Sequence, residues 1–405
     1  MDLCQCIEKE TSSYPEKKYR LADFFDMHWD EYIKSPTEFV KPEQLKAVNA
    51  MRVCRTEVLG VDIYACPECG GITKVYHSCK NRFCPTCSWK DTVKWAENVK
   101  NRMLKIKHRH IVCTLPHGLH PLIKRNERLL LSSLMRASAA TFKDWFKNKY
   151  RLKIGVVLVL HTYGEQKDYH PHVHMIVSWG GVDIRTGTLK EIKEEYVNYK
   201  FLQKKFRCKF EDELVYLNDT GQLEHNFLSR EHFMKHIKQV NEKDWILHLE
   251  PAMDTPAKVI RYVGRYSKRA CLSEYKITNI EGVYISFKYK DYRDRDKNKK
   301  PKEKELRLHY RDFFPRLLQH VPPAYFRIVR YYGLYSNHGK IPQEYFYNEQ
   351  EIADQPEKDL LYCEICKKEK VFVCTFFDKR PRKERENEAY ENMHELMKDK
   401  GKHAA

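Results

Sequence analysis

Two histidines separated by one residue form the first chemically informative feature of the sequence. His172 and His174 stand in the segment HPHVH, whose apolar, β-branched continuation predicts a strand. Residues two apart in a strand project from the same face, so both imidazoles point the same way and Val173 points to the core. Two neutral imidazoles on one face are half of a site for a divalent metal. A surface pair without function is the alternative.

Two tyrosines four residues apart form a second candidate site in the segment VIRYVGRYSKR. Thr255 and Pro256 predict the start of a helix, on which Tyr262 and Tyr266 share one face. Phenol oxygens act as nucleophiles, and nearby cations favour both a tyrosinate and a bound phosphodiester. The cations of this segment are Arg261, Arg265, Lys268 and Arg269. An amphipathic helix with two core tyrosines is the alternative.

The cysteines predict a structural metal site. The segments CPECG at 66–70 and CPTC at 84–87 are Cys-x-x-Cys knuckles, and four thiolates close a tetrahedron around Zn²⁺. The predicted ligands are Cys66, Cys69, Cys84 and Cys87, with Cys79 able to replace one of them. A four-thiolate site leaves no position for a substrate, so this zinc is expected to be structural. Isolated buried or redox-active cysteines are the alternative.

A further cysteine group lies near the C-terminus. Cys363 and Cys366 form another knuckle, and Cys374 follows it. No fourth ligand is evident for this group, and Cys4 or Cys6 could supply one only through long-range folding. The sequence therefore leaves open whether a second zinc is bound.

The positive charge indicates a polyanionic partner. The chain of 405 residues carries 74 Lys and Arg against 56 Asp and Glu, a net charge of +18. Most of the excess lies in two blocks, at 74–110 and 288–311, where aromatic residues stand among the cations. Cations bind phosphates and aromatic rings stack on unpaired bases, which favours single-stranded nucleic acid over two merely solvated faces. The predicted DNA contacts are Arg82, Lys90, Lys94, Arg261, Arg265 and Arg269.

Several classes of protein are excluded by the pattern of residues. The longest apolar run, 154–160, is far shorter than the roughly 20 residues of a membrane helix. The N-terminus shows no basic region followed by an apolar stretch, which predicts no signal peptide and a cytoplasmic location. Gly339 and Lys340 precede Ile341 and lack P-loop spacing, so no ATPase is expected. If strands must be separated, a host helicase has to do it.

The elements that must position these residues follow from the apolar periodicity. Strands are predicted over 109–117, 153–163, 172–181 and 283–292, and the second and third of these form an antiparallel hairpin. Helices are predicted in the first fifty residues, over about 89–107 and over 121–150. The predicted domains are an N-terminal helical segment (1–57), a zinc-binding, DNA-docking domain (58–107), a catalytic domain (108–340) and a polar tail (341–405).

In combination, these motifs resemble the HUH single-strand endonucleases. With the cysteine-rich region upstream, the chain is similar to the two-tyrosine rolling-circle transposases of bacterial insertion sequences. The resemblance spans about residues 20–340. It rests on SCKNRFCPTC, HIVCTLPH, HTYGEQKDYHPHVHMIVSWGG, VIRYVGRYSKR, and FKYKDYRD followed by FFPRLLQHVPPAYFRIVRYYGL.

The resemblance implies a fold and an activity. The fold is α+β, with an antiparallel-sheet HUH nuclease core and flanking helices, preceded by a small zinc ribbon. The activity is a metal-dependent transposition without ATP, in which single-stranded DNA is nicked and rejoined through a 5′-phosphotyrosine. Mg²⁺ or Mn²⁺ would sit on the two histidines, with His161, Glu165 and Asp168 as candidates for a third ligand. The partners would be element ends and target DNA at the nucleoid.

Two other functions remain open from the sequence. A plasmid rolling-circle replication initiator or a relaxase shares the strand and tyrosine chemistry. A zinc-ribbon DNA-binding regulator with a dead nuclease core belongs to another class, and the intact histidine and tyrosine pairs argue against it.

Overall fold

Packing divides the chain into two units. The computed structural model describes residues 18–88, 95, 99, 102–193, 197–242, 245–253, 270–336, 342–346, 365–366 and 368–376. The first unit comprises Met1–Ser88, Ser273–Phe287 and Ala353–Ala405, and the second comprises Trp89–Leu272 and Lys288–Ile352. This packing differs from the predicted boundaries after residues 57, 107 and 340. The N-terminal helices and the cysteine-rich segment pack together, and part of the tail joins them through a strand.

Two helices begin the first unit, as the apolar periodicity predicts. They are α1 (Leu21–Lys34) and α2 (Pro42–Arg52). Apolar side chains of α1 such as Phe25 and Trp29 are fully buried, because they recur on one helical face. The buried guanidinium of Arg52 contacts the carboxylates of Asp26 and Asp30, which ties the two helices together.

Short antiparallel strands complete the first unit. A three-stranded sheet has the order β14-β1-β2, with β1 (Val61–Ala65), β2 (Ile72–Tyr76) and β14 (Val371–Phe376). Separately, β10 (Ile277–Glu281) pairs with the start of β11 (Tyr284–Arg295). The carboxylate of Glu274, just before β10, accepts hydrogen bonds from the Leu21 amide and the Thr86 hydroxyl.

A five-stranded sheet of order β13-β5-β6-β3-β9 is the centre of the second unit. Its pairs are all antiparallel. In chain order the strands are β3 (His108–Thr114), β5 (Gly155–Tyr163), β6 (Tyr169–Ser178), β9 (Ile246–Leu249) and β13 (Val329–Gly333). The predicted α+β fold and the predicted antiparallel hairpin of β5 and β6 are confirmed. The second strand of the hairpin begins at Tyr169, earlier than the predicted 172.

Helices cover one face of this sheet. They are α3 (His120–Arg125), α4 (Glu127–Tyr150), α5 (Tyr199–Asp219) and α6 (Arg230–Asn241), and α7 (Tyr310–Leu318) follows later in the chain. The core joins alternate residues of the strands, such as Val173 and Met175, to helix residues such as Phe142 and Phe206. Because strand residues alternate between faces, the residues between these core positions lie on the other face. No described helix is both long and apolar enough to span a membrane.

A smaller sheet belongs to the second unit. A sheet of order β4-β7-β8 contains β4 (Leu152–Lys153), β7 (Gly180–Asp183) and β8 (Leu189–Glu191). A side chain at Gly181 would bring Cβ to 1.9 Å from the Lys153 carbonyl oxygen, so β4 and β7 pack without a side chain between them.

The second basic block forms a hairpin. The remainder of β11 pairs with β12 (Pro301–His309), which confirms the strand predicted over 283–292. Ion pairs cross this hairpin at 2.8–2.9 Å and join Lys304 to Asp291, Lys302 to Asp294 and Lys288 to Glu303. Part of the block's positive charge is therefore balanced within the hairpin.

One buried histidine makes the second unit sensitive to pH. His108 is 2% exposed, and its Nε2 lies 2.6 Å from the hydroxyl of Tyr335. Burial lowers the pKa of His108 to about 3. An unfolded histidine has a pKa near 6.5. Between these values the unfolded chain binds a proton that the folded chain does not, so stability present above about pH 6.5 is lost as the pH falls.

We expect His108→Gln to weaken the pH dependence of folding, because glutamine can still bond to Tyr335 and does not titrate. Between pH 6 and pH 4 the slope of the unfolding free energy should fall by up to about 1.4 kcal/mol per pH unit. Urea titrations at pH 4, 5 and 6 measure this slope. His232→Gln is the control, since His232 is exposed to water. An unchanged slope in His108→Gln would contradict the prediction.

Candidate functional site

The pairing of β5, β6 and β3 gathers imidazoles on one face of the central sheet. His172 lies directly opposite His161 of β5, and His174 lies opposite Val159. Residues paired across antiparallel strands project from the same face, so the three histidines converge. Their ligand nitrogens all lie within 4.8 Å of one another. The sequence predicted the pair on β6, and the structure adds His161 from the three candidates for a third ligand.

The distances within this cluster suit a metal ion. Nε2 of His172 lies 3.1 Å from Nε2 of His174. Two nitrogens bound to one ion at about 2.0–2.1 Å lie roughly 3.0–3.4 Å apart. The other two candidates for a third ligand have other contacts. The carboxylate of Glu165 accepts a hydrogen bond from the Lys290 amide, and the carboxylate of Asp168 lies beside Gly164 in the β5–β6 loop.

Hydrogen bonds orient both imidazoles of β6. Nδ1 of His172 lies 2.7 Å from the His170 carbonyl oxygen and donates to it, which leaves the lone pair on Nε2. Nδ1 of His174 lies 2.9 Å from Nε2 of His110 on β3, and the two rings stack. Partners of this kind fix the ring orientation and tautomer of metal-binding histidines. His110 was not predicted. The strand predicted over 109–117 contains it, and alternation along that strand places His110 and Thr114 on one face, which could have indicated a further histidine near the site.

The electrostatics favour neutral imidazoles. Burial lowers the pKa of His172 to about 4, and it lowers the pKa of His174 and of His110 as well, the latter to about 3. Neutral imidazoles keep a lone pair for a cation at neutral pH. The donor set of three convergent nitrogens, with His172 and His174 kept neutral by burial, therefore fits a divalent ion. Val157, Val159 and Ile176 continue the same face into an apolar cluster, which limits access of water from that side.

The other predicted catalytic and DNA-binding residues lie mostly outside the described residues. Arg82 is described, and it occupies the turn between Cys79 and Cys84 with its side chain half-buried. The residues that lie outside are Lys90, Lys94, Arg261, Tyr262, Arg265, Tyr266 and Arg269.

The first unit contains a buried cluster of four cysteines, Cys54, Cys79, Cys84 and Cys87. Each is at most 4% exposed. The sulfur of Cys87 lies 3.4 Å from that of Cys54 and 3.5 Å from that of Cys79. Thiolates on one zinc at about 2.3 Å lie about 3.8 Å apart, so the cluster fits a tetrahedral site.

This cluster corrects the predicted set of zinc ligands. Cys84 and Cys87 belong to it, but Cys66 and Cys69 do not, and their places are taken by Cys79 and Cys54. The reason is the hairpin of β1 and β2. The 66–69 knuckle lies at its turn, whereas Cys79 follows β2 at the other end, roughly 15 Å away for strands of five residues. Cys54 has no neighbouring cysteine in the sequence, so knuckle spacing could not reveal it.

Hydrogen bonds among these thiols make the cluster ready to bind a cation. A hydrogen bond with Cys54, followed by bonds with Cys79 and Cys84, lowers the pKa of Cys87. The pKa values of Cys79 and Cys84 are raised, chiefly by the hydrogen bond with Cys54. The pKa of Cys54 is lowered as well, chiefly by the hydrogen bond with Cys79. The thiols therefore favour ionisation of only part of the cluster, and removing all four protons needs a bound cation.

A second group of thiols lies at the turn between β1 and β2. Cys66 and Cys69 lie together with Cys366, and their sulfurs are within 4.8 Å of one another. The sequence left the role of the C-terminal knuckle open.

Comparisons with known proteins cover both the zinc-binding region and the strands that carry His161, His172 and His174. Residues 24–115 match the family described as a transposase zinc-binding domain of the IS91 type, and residues 155–342 match the family described as putative transposase, Y2. A putative transposase, y4qJ, from Sinorhizobium fredii (strain NBRC 101917 / NGR234) is 30% identical over 345 residues, 82% of each chain. No solved structure matches this chain.

A second relative is also a transposase. The transposase for insertion sequence element IS801 from Pseudomonas savastanoi pv. phaseolicola is 30% identical over 302 residues, covering 73% of this chain and 70% of the relative. The zinc-binding region and the histidine-bearing sheet thus define a class, the transposases with an N-terminal zinc-binding domain. This chain belongs to the IS91-type family of insertion-sequence transposases.

We expect Cys54→Ser to release the zinc of the four-cysteine cluster, because a hydroxyl is a poor zinc ligand. The zinc affinity should fall by more than the roughly 10–100-fold that loss of an outer-shell partner costs. Competition with a chromogenic chelator measures the affinity. Cys208→Ser is the control, since Cys208 lies on α5 in the second unit. If Cys54→Ser binds zinc as tightly as the unchanged protein, the assignment of Cys54 is refuted.

Proposed function

We propose that this transposase cuts and rejoins single strands of DNA in rolling-circle transposition, using a divalent ion on His161, His172 and His174. The observation that carries the proposal is the convergence of these three imidazoles, with two Nε2 atoms 3.1 Å apart. The proposed nucleophile is Tyr262 or Tyr266. These tyrosines are chosen from the sequence, since they lie outside the described residues.

The proposed roles of the metal ion and of the histidines follow from their chemistry. Mg²⁺ or Mn²⁺ would stabilise negative charge on the scissile phosphate and on the leaving oxygen. The three imidazoles hold the ion without adding negative charge, so the net charge next to the phosphate stays positive. His110 and the His170 carbonyl keep the rings of His174 and His172 in position.

The proposed covalent step conserves the phosphodiester bond energy. A tyrosine oxygen forms a bond to phosphorus, the bond from phosphorus to the 3′ oxygen breaks, and the phenol proton ends on that oxygen. The products are a 5′-phosphotyrosine and a free 3′-hydroxyl. A 3′-hydroxyl of another strand can reverse the step, which joins the element to new DNA. Two tyrosines would allow two strands to be held in turn.

An arginine-rich groove supports contact with a single strand. It lies beside β13 and α4 in the second unit, and Tyr325 at its edge is 99% exposed. The guanidinium of Arg330 stacks on Phe326 at 5.3 Å. Cations that follow a backbone and rings that stack on bases are typical of single-strand binding surfaces. The main cationic and aromatic residues of the groove are Arg128, Arg136, Arg327, Arg330, Tyr325, Phe326, Tyr331 and Tyr332.

The first unit is proposed to dock on DNA. Its zinc-binding region carries Arg82 and precedes Lys90 and Lys94 in the first basic block. The tyrosine segment would add Arg261, Arg265 and Arg269 close to the scissile phosphate. Since the sequence has no P-loop, we propose that a host helicase separates the strands. The names of both relatives favour a transposase over a replication initiator, a relaxase or a regulator.

We expect a covalent protein–DNA adduct with labelled single-stranded oligonucleotides that carry the element's end. The adduct should form with Mn²⁺ or Mg²⁺ and without ATP, because the phosphotyrosine bond survives denaturation. Denaturing gel electrophoresis detects it. In the double variant Tyr262→Phe, Tyr266→Phe the adduct should disappear.

Tyr216→Phe is the matched control, because Tyr216 lies exposed on α5 of the same unit, outside both the tyrosine segment and the arginine-rich groove. It should keep the adduct. If the double variant still forms the adduct, the tyrosine assignment is wrong.

We expect His161→Ala to reduce the rate of cleavage by about 100-fold or more, because loss of the ion removes several kcal/mol of charge stabilisation. Single-turnover cleavage at several Mn²⁺ concentrations measures the effect, and high Mn²⁺ should restore part of the rate. Glu165→Gln is the control, since the glutamine oxygen can still accept from the Lys290 amide. Unchanged metal dependence in His161→Ala would remove His161 from the site.

A further inference from the structure

We propose that Cys66, Cys69 and Cys366 bind a second structural zinc, separate from the one at the four-cysteine cluster. The three sulfurs lie within 4.8 Å of one another, and Cys66 is 2% exposed. This zinc would fix the C-terminal strand β14 to the first unit. It would make the zinc content of the protein two ions per chain.

The knuckle formed by Cys66 and Cys69 is shaped for metal binding. The amide of Gly70 donates to the Cys66 carbonyl oxygen at 2.9 Å, and the amide of Cys66 donates to the Gly71 carbonyl oxygen at 3.0 Å. Gly70 has a φ of +71°, which lets the chain turn tightly before β2. The turn places both sulfurs on one side, as in the Cys-x-x-Cys knuckles of structural zinc sites.

The register of β14 explains why Cys366 reaches this knuckle. The strands β1 and β14 are antiparallel, and Ala65 at the end of β1 pairs with Val371 at the start of β14. Residues just before β14 must therefore run beside the residues just after β1. Cys366 precedes Val371 by five residues, and Cys66 follows Ala65 directly. The meeting of the thiols is thus a consequence of strand pairing.

Polar contacts hold β14 and the residues before it against the knuckle, β1 and β2. The ammonium group of Lys370 is buried and contacts the Thr73 hydroxyl on β2. Lys368 pairs with Glu68, inside the knuckle, at 3.4 Å. The hydroxyl of Thr375 donates to the Asp62 carboxylate at 2.6 Å. These contacts join β14 and the residues before it to the knuckle, β1 and β2, so the sulfurs are brought together by the whole segment.

Burial alone is a weak source of stability for this sheet. No residue of β1 is buried, and Val371, Phe372 and Val373 of β14 are each more than half exposed. Small sheets that bury little apolar surface usually need a metal or a disulfide. A cluster of thiols in a chain with no described disulfide favours the metal, and thiolates select zinc over magnesium.

The family match includes only part of this site, because Cys66 and Cys69 lie within the matched zinc-binding region, 24–115, and Cys366 does not. The two matching regions end at residues 115 and 342, and Cys366 lies beyond both. Three thiols leave one tetrahedral position for a further ligand. The nearest cysteine in the sequence, Cys363, lies outside the described residues.

The test measures zinc per chain in the full-length protein. The His172→Ala, His174→Ala background is used so that the imidazoles on β6 do not contribute metal. After gel filtration, elemental analysis should give two zinc ions per chain. The added change Cys366→Ser should lower this number to one, and trypsin should then cleave faster at Lys368 and Lys370.

Two further variants separate a lost ligand from a misfolded chain. Cys366→His should keep two zinc ions, because imidazole also binds zinc and serine does not. Cys208→Ser should keep two as well. One zinc ion per chain in the parent protein, or two in Cys366→Ser, would overturn the proposal. The test is independent of DNA cleavage, so it does not depend on the proposed function.

Discussion

The pairing of β5 with β6 is the constraint on which the candidate catalytic site depends. One face of these strands is filled by Leu158, Leu160, Val173 and Met175, which pack against the helices. A slip of one residue would turn every side chain of a strand to the opposite face. The burial of the core therefore sets the register, and the register places His161 opposite His172. The same register of β5 and β6 is therefore required both to place the imidazoles and to pack the core.

Much of this sheet could be predicted from the sequence, because alternation is a local property. The two strands, their antiparallel pairing and the shared face of His172 and His174 all follow from apolar and polar residues within about twenty positions. The start of β6 was misjudged because Pro171 argues against a central strand. The structure tolerates this proline because β3 ends opposite His172 and the β5–β6 pairing is irregular beyond His161.

The cysteines that share a metal ion could be predicted only in part from local sequence patterns. Knuckle spacing indicates that metal is bound, but it does not indicate which knuckles share an ion. Cys54 has no local signal, since it meets Cys79 only because the residues after α2 contact the residues after β2, where the Arg55 amide donates to the His77 carbonyl oxygen. Cys366 is separated from Cys66 by 300 positions and meets it through a strand pair. Such assignments require knowledge of the topology, which spacing within one segment does not contain.

The position of β14 has a consequence for the order of events during synthesis. The sheet of the first unit contains β1 and β2 from the start of the chain and β14 from near its end. At translation rates of roughly 5–20 residues per second, β14 leaves the ribosome about 15–60 s after β2. Until then one edge of β1 is unpaired, and an open edge invites pairing with other chains. The unit that is made first is therefore finished last, and chaperones would have that interval in which to protect it.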